Sequence, residues 1–203
     1  MIEQTKDEHF EVQFMPGALP PDNPPGFVPD PRKGDPKASA ERLGRAIVAA
    51  HAENYGFGKS ERLANNIAYL KINGFYEPAI AGFAVNAVMS QLADASALII
   101  DLRGNGGGSS DTGALIAAYL FDDLPIHLTD RHMPSAKRIE PVWTRPVASD
   151  LRFGGGKPAY VLIDKETFSA AEDFAYALQA LKRVTVVGER SKGGANGGRG
   201  FRL

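Results

Sequence analysis

The sequence predicts an α/β protein with parallel strand pairing and crossover helices. Two observations carry this. Short apolar runs at Asn66–Ile72, Ala97–Ile100, Ala159–Ile163 and Val184–Val187 are separated by segments with helical spacing. Strand, helix and strand in close succession imply right-handed crossovers in one sheet.

The elements follow in chain order. His9-Phe10-Glu11-Val12-Gln13-Phe14 alternates, so residues 1–14 are expected to bring a strand into the core, with Phe10, Val12 and Phe14 on one face. Eight of the 14 prolines lie between Pro16 and Pro36, together with Gly17, Gly26 and Gly34. Residues 15–36 therefore predict an extended loop that holds neither a helix nor a central strand. Within 37–58 a helix is expected from Ser39, a plausible N-cap, to Asn54, with Leu43, Ile47, Val48 and His51 near one stripe and Gly56 and Gly58 ending it. Asn73-Gly74 stops the Asn66–Ile72 strand. Ala79–Leu92 and Thr112–Phe121 are expected helices, and Ala97–Ile100 and Ala159–Ile163 are expected strands buried on both faces. Ala170–Lys182 places Phe174, Leu178 and Leu181 on one helical stripe. Residues 139–147, around Trp143, are expected to form a surface loop bordering a groove.

Composition excludes several classes. With 203 residues the chain is one domain, or a domain with an appendage. Net charge −1 argues against non-specific nucleic-acid binding, which needs a basic surface. The absence of cysteine excludes disulfides and a thiolate nucleophile. The four histidines lack the i, i+4 pairing of a metal site, so neither metal nor cofactor is expected. No apolar run reaches the roughly 18 residues of a membrane span. The charged start and the glycine-rich end suggest a piece of a longer protein.

In open α/β sheets, chemistry collects beyond the carboxyl ends of strands. Two turns have that position. After Ile100 comes Asp101-Leu102-Arg103-Gly104-Asn105-Gly106-Gly107-Gly108. Its glycines permit backbone shapes in which successive N–H groups line a concavity and hold an oxyanion. The run also fits a plain flexible turn. Neither the Walker nor the dinucleotide spacing is met. Asp101 and Arg103 are expected to pair and shape the loop. The second turn is Thr167-Phe168-Ser169-Ala170-Ala171-Glu172. Ser169 stands where a strand becomes a helix, as in a nucleophile elbow, although Gly-x-Ser-x-Gly is absent. Ser169 with Glu172 is also the Ser-x-x-Glu pattern of a helix capping box.

Together these segments resemble the tail-specific, or C-terminal processing, serine peptidases of family S41, in the branch of interphotoreceptor retinoid-binding protein and the tricorn core protease. The resemblance runs through residues 66–75, 97–108, 167–176, Val186-Val187-Gly188-Glu189 and Gly193-Gly194-Ala195. It implies a ClpP/crotonase-like fold, with residues 59–203 as a peptidase core truncated at its C-terminus. It also implies Ser169 as nucleophile, amides of Gly107 or Gly108 and of Ala170 as the oxyanion hole, and His9 as general base, with His127 the runner-up. A polypeptide substrate and a periplasmic or secreted location follow from the same resemblance. Four departures stand out. The dyad lysine of the processing peptidases falls on Gly194, with Lys192 two residues short. Glu8 occupies a position where serine is expected. The supporting acid of such a site is expected beyond the glycine-rich end, past Leu203, and the helical front domain of the family is not within these 203 residues, in keeping with a piece of a longer protein. The other function this scaffold allows is a non-catalytic module binding an apolar ligand or peptide. His51 reads as structural and His132 as a solvated loop residue.

Overall fold

The computed structural model describes residues 36–123, 125–133 and 137–194. The expected strand at 9–14, and with it His9, lies outside these residues, as does the loop at 15–36 apart from its last residue. The first described element is helix α1 (Pro36–Ala52). It starts three residues before Ser39, because proline is pre-organised for a first helical turn.

Strands β1 (Phe57–Leu63), β2 (Ile67–Ile72), β3 (Ala97–Asp101), β6 (Ala159–Ile163) and β7 (Thr185–Gly188) form one sheet. Helix α2 (Pro78–Gln91) links β2 to β3, α3 (Ser110–Ala118) follows β3, and α4 (Ala170–Ala180) links β6 to β7. Between α3 and β6, β4 (His127–Met133) and β5 (Arg138–Trp143) pair as a separate antiparallel hairpin. The order is β1-β2-β3-β6-β7. β1 is antiparallel to β2 and the other pairs are parallel. The α/β reading of the sequence is therefore what the chain adopts.

Strand order rises steadily from β2 to β7, so right-handed crossovers place α2, α3 and α4 on the same face. Alternate residues of the strands point at them. Ala68, Leu70, Leu98, Ile100 and Val161 are buried and pack with Val85, Met89, Ile116, Phe174 and Leu178. The opposite face is less covered: Ile99 is half-buried and Tyr160 is exposed. The expectation of strands buried on both faces is thus corrected, because all three helices share one side.

Other corrections are local. Residues 139–147 are not simply a loop, since Arg138–Trp143 is strand β5. His132 lies in strand β4 rather than in a loop, although it is exposed as expected. The β1 strand has no apolar alternation (Phe57-Gly58-Lys59-Ser60-Glu61-Arg62-Leu63) because it sits at a sheet edge and is exposed along most of its length. None of the described helices is long and apolar enough to cross a membrane.

Leu70 pairs in register with Ile100 at the centre of the helix-covered face and has no exposed surface. Leu70→Ala is expected to lower unfolding free energy by about 2–5 kcal/mol in urea titrations. An unchanged midpoint would contradict the packing described for this face.

Candidate functional site

Parallel register brings the two turns to one rim. β3 and β6 pair from Leu98↔Ala159 to Asp101↔Leu162, so both strands end at the same height. The loop after β3 and the turn after β6 then run side by side. Gly104 N–H donates to Asp164 Oδ1 at 2.9 Å. The Thr167 hydroxyl, fully buried, donates to Leu102 O at 3.0 Å. Phe168 N–H donates to Asn105 O at 2.9 Å. Each bond crosses between the turns, so the contact is built, not incidental.

The contact is closest at Gly107. A Cβ there would lie 2.8 Å from Ser169 Cβ, 2.8 Å from Phe168 O and 2.9 Å from Ala170 N. Gly107 also adopts φ +100°. Both the space and the dihedral exclude other residues. On its far side the loop is held by β2's continuation: Phe75 N–H donates to Gly107 O at 2.8 Å, and Ser109 N–H donates to Phe75 O at 2.7 Å.

Ser169 has φ +55° and ψ −122°. Non-glycine residues avoid such backbone, which costs roughly 1–3 kcal/mol and persists only where surroundings enforce it. The surroundings here include Glu172. Its Oε2 accepts N–H bonds from Ser169 (2.9 Å) and Gly194 (2.8 Å), and its Oε1 accepts from Gly193 (2.6 Å). The expected capping box is present. It also ties the Ser169 turn to the loop after β7. Burial pushes the Glu172 carboxyl up, but hydrogen bonds from the Ser191 side chain and the Gly194, Gly193 and Ser169 amides outweigh it and hold it below the usual glutamate range.

A second buried carboxylate starts the glycine loop. Asp101 accepts from Arg103 Nε (3.0 Å), Arg103 Nη2 (2.7 Å), Arg103 N–H (2.9 Å) and the Tyr69 hydroxyl (2.6 Å). Lys71 Nζ stands 3.6 Å from it. Burial raises this carboxyl, yet the Arg103 and Tyr69 hydrogen bonds and the Lys71 charge win and hold it far below the usual range. The expected Asp101–Arg103 pair is thus present, and it turns the chain into the loop.

Beside Ala170 lies a small cleft of about 20 Å³ between α3, α4 and the hairpin. Ala114, Leu128, Val142 and Phe174 line it, with the Asp173 carboxyl among them. Desolvation raises Asp173 above the usual aspartate range, against the opposing Arg131 charge and the Ser110 side chain. Leu128, Thr129 and Val142 of the hairpin therefore border a cleft that Ala170, next to Ser169, also lines.

Of the basic candidates, His9 lies outside the described residues. His127 Nε2 is 2.9 Å from Asp130 Oδ1 and its ring packs 4.9 Å from Trp143. His51 meets the edge of Tyr55 at 6.0 Å. Lys192 Nζ lies 5.3 Å from the centre of the Phe168 ring, and Lys192 N–H donates to Thr167 O at 3.1 Å. Its charge is therefore carried beside the Ser169 turn, despite the two-residue offset. Sequence reasoning overlooked Asn105, Asp164 and Thr167. The signal for Asn105 was a lone carboxamide in a run of glycines.

The family model for peptidase family S41 matches residues 66–203, which contain both turns. The chain belongs to peptidase family S41. It is 29% identical over 129 residues to a tail-specific protease of Haemophilus influenzae, covering 63% of this chain and 17% of that protein. It is 29% identical over 130 residues to the chloroplastic carboxyl-terminal-processing peptidase 2 of Arabidopsis thaliana, covering 63% of this chain and 24% of that protein. The chain thus spans under a quarter of each of these curated relatives' length. Among solved structures, the photosystem II D1 C-terminal processing protease superposes with a TM-score of 0.51 at 25% identity, over 63% of this chain and 31% of that one. A candidate peptidase from Parabacteroides merdae gives 0.52 at 26% identity, over 74% and 50%. The fold is that of S41 peptidases.

Glu172→Gln tests the carboxylate clamp. A carboxyl depressed by folding contributes stability above its unfolded pKa, and that contribution is lost as pH falls through the folded value. Unfolding midpoints between pH 7 and pH 3 should therefore show a shallower acid-side decline for Glu172→Gln than for the parent. Equal slopes would contradict an ionised, hydrogen-bonded Glu172.

Proposed function

We propose that the chain carries a serine peptidase centre of the tail-specific type, with polypeptide as substrate and Ser169 as nucleophile. The observation that supports this most is the backbone of Ser169, held at positive φ and pressed against Gly107. Such a turn presents a hydroxyl at the rim of the sheet, beside the N-terminus of α4. Ser169 Oγ attacks the scissile carbonyl carbon, and its proton passes to a general base. The oxyanion that forms is held by the Ala170 N–H and by an N–H of the Gly107-Gly108 pair. No acceptor among the described residues takes the Ala170 N–H. The tetrahedral intermediate collapses, the base returns the proton to the leaving amine, and water then releases the acyl group from Ser169.

The base is His9 on the family resemblance. A specific observation favours Lys192 as the alternative, since its ammonium already lies against Phe168, next to the nucleophile. A histidine base gives kcat/KM an acid limb near its unperturbed pKa of about 6.5. A lysine base gives one at higher pH than a histidine. His9→Ala is expected to remove the limb, and its removal by Lys192→Ala instead would transfer the role.

Ser169→Ala is expected to reduce peptide hydrolysis by about 10³-fold or more and to abolish labelling by a fluorophosphonate, while lowering unfolding free energy by only the roughly 0.5–2 kcal/mol of a lost N-cap hydroxyl. A folded parent protein that resists labelling, and hydrolyses no peptide, would return the chain to the non-catalytic binding module.

A further inference from the structure

The two glycine amides next to Ser169 are not equivalent, and one buried side chain makes them differ. Asn105 has no exposed surface. Its Nδ2–H donates to Ile72 O, the last residue of β2, at 3.0 Å. Its Oδ1 accepts the Gly107 N–H at 2.7 Å. Its backbone carbonyl accepts from Phe168 N–H at 2.9 Å, and its own N–H donates to Leu102 O at 3.0 Å. One residue therefore binds the end of β2, the glycine loop and the Ser169 turn together.

Gly108 stands otherwise. It is exposed. Its N–H has no acceptor among the described residues. Its direction is set by the peptide preceding it. Gly107 O points at Phe75 N–H, on the β2 side of the loop. In a planar trans peptide the next N–H points the opposite way. The Gly108 N–H is thus aimed away from Phe75, toward the side where the Ser169 turn lies. Phe75 also fixes Gly108 sterically, since a Cβ there would meet Phe75 O at 2.1 Å.

We propose that Asn105 is the positioning residue of this loop: its carboxamide retains the Gly107 N–H, so that the Gly108 N–H, with that of Ala170, meets the reacting carbonyl oxygen. The inference rests on the Ser169 reading for its chemistry, but not for its geometry. An asparagine suits the role because one planar group supplies a donor for Ile72 O and an acceptor for Gly107 at once. Aspartate keeps the acceptor and loses the donor. Alanine loses both.

Amide hydrogen exchange followed by ¹⁵N NMR tests the geometry in the unsubstituted protein. Gly107 should exchange at least about tenfold more slowly than Gly108, and Asn105→Ala should remove that difference without changing the amides of Leu98 and Ile100. Equal rates in the parent, or slower exchange at Gly108, would overturn the assignment. A peptide boronate, which forms a tetrahedral adduct with a serine hydroxyl, tests the chemistry. The adduct should shift the Gly108 amide resonance and leave Gly107 in place. Asn105→Ala should lower kcat and boronate affinity by about 10²–10³-fold with KM changed far less, and Asn105→Asp should recover part of the loss. A shifted Gly107, or an Asn105→Ala effect confined to KM and thermal midpoint, would overturn it. Absence of any Ser169 adduct would fail the peptidase reading instead, while the exchange contrast would still decide the Asn105 geometry.

Discussion

The site depends on one close approach, that of the Gly107 α-carbon to the Ser169 turn. No side chain fits between them: a Cβ at Gly107 would overlap Phe168 O and Ser169 Cβ at 2.8 Å. The approach is possible because β3 and β6 are neighbours in register and end together. About 60 residues separate Gly104 from Asp164, yet a single hydrogen bond joins them. The entropic cost of closing so long a loop is met by the sheet, whose ladder and buried face form regardless of the site. The rim is therefore a consequence of the core. The geometry of the rim requires only that the two turns be shaped correctly once the strands have aligned.

That shaping relies on polar groups buried where apolar ones cannot serve. Glu172 and Asp101 are each nearly inaccessible, and each is surrounded by donors. A buried carboxylate without such partners would take up a proton or unfold its surroundings. Glu172 gathers amides from two different loops, and Asp101 gathers a side chain and an amide from the start of the glycine run. Between them Asn105 and Thr167 supply uncharged cross-links. Four polar residues thus define the positions of backbone groups that carry no information in their own side chains. Pre-organised dipoles of that kind need not reorient as charge develops, which is where electrostatic stabilisation is most effective.

Much of the fold was legible because apolar periodicity reports burial directly. β2, β3, β6 and α4 each place large side chains toward a common core, and their boundaries fall within a few residues of those expected. β1 and β5 were illegible for the converse reason. Along β1 most side chains face solvent, and in β5 Pro141 interrupts a short exposed strand, so neither has a pattern to read. The two turns stood out by composition, since four glycines in five positions serve few other purposes. What composition did not reveal is which backbone groups the turns use. Asn105, Asp164 and Thr167 act in part through hydrogen bonds to segments distant in sequence (Ile72, Gly104 and Leu102), and such pairings arise only once strand order is known.

The capping box at Ser169 does not by itself explain the backbone there, as comparison with another serine of the same chain indicates. Ser109 is the N-cap of α3 and has φ −82° and ψ 115°, the extended backbone ordinary to that position. Ser169 is the N-cap of α4, with Glu172 completing its box, and has φ +55° and ψ −122°. Although the Ser109 hydroxyl itself donates to Glu77 Oε2 at 3.0 Å and does not cap α3, a helix N-cap ordinarily has the former backbone. The latter carries a strain that capping does not repay, and it coincides with the point where the glycine loop comes closest. A backbone distorted beyond what its local hydrogen bonds require is an observation that motivates the proposed role of its side chain. Here Glu172 holds the distorted turn in place through its bond from the Ser169 N–H.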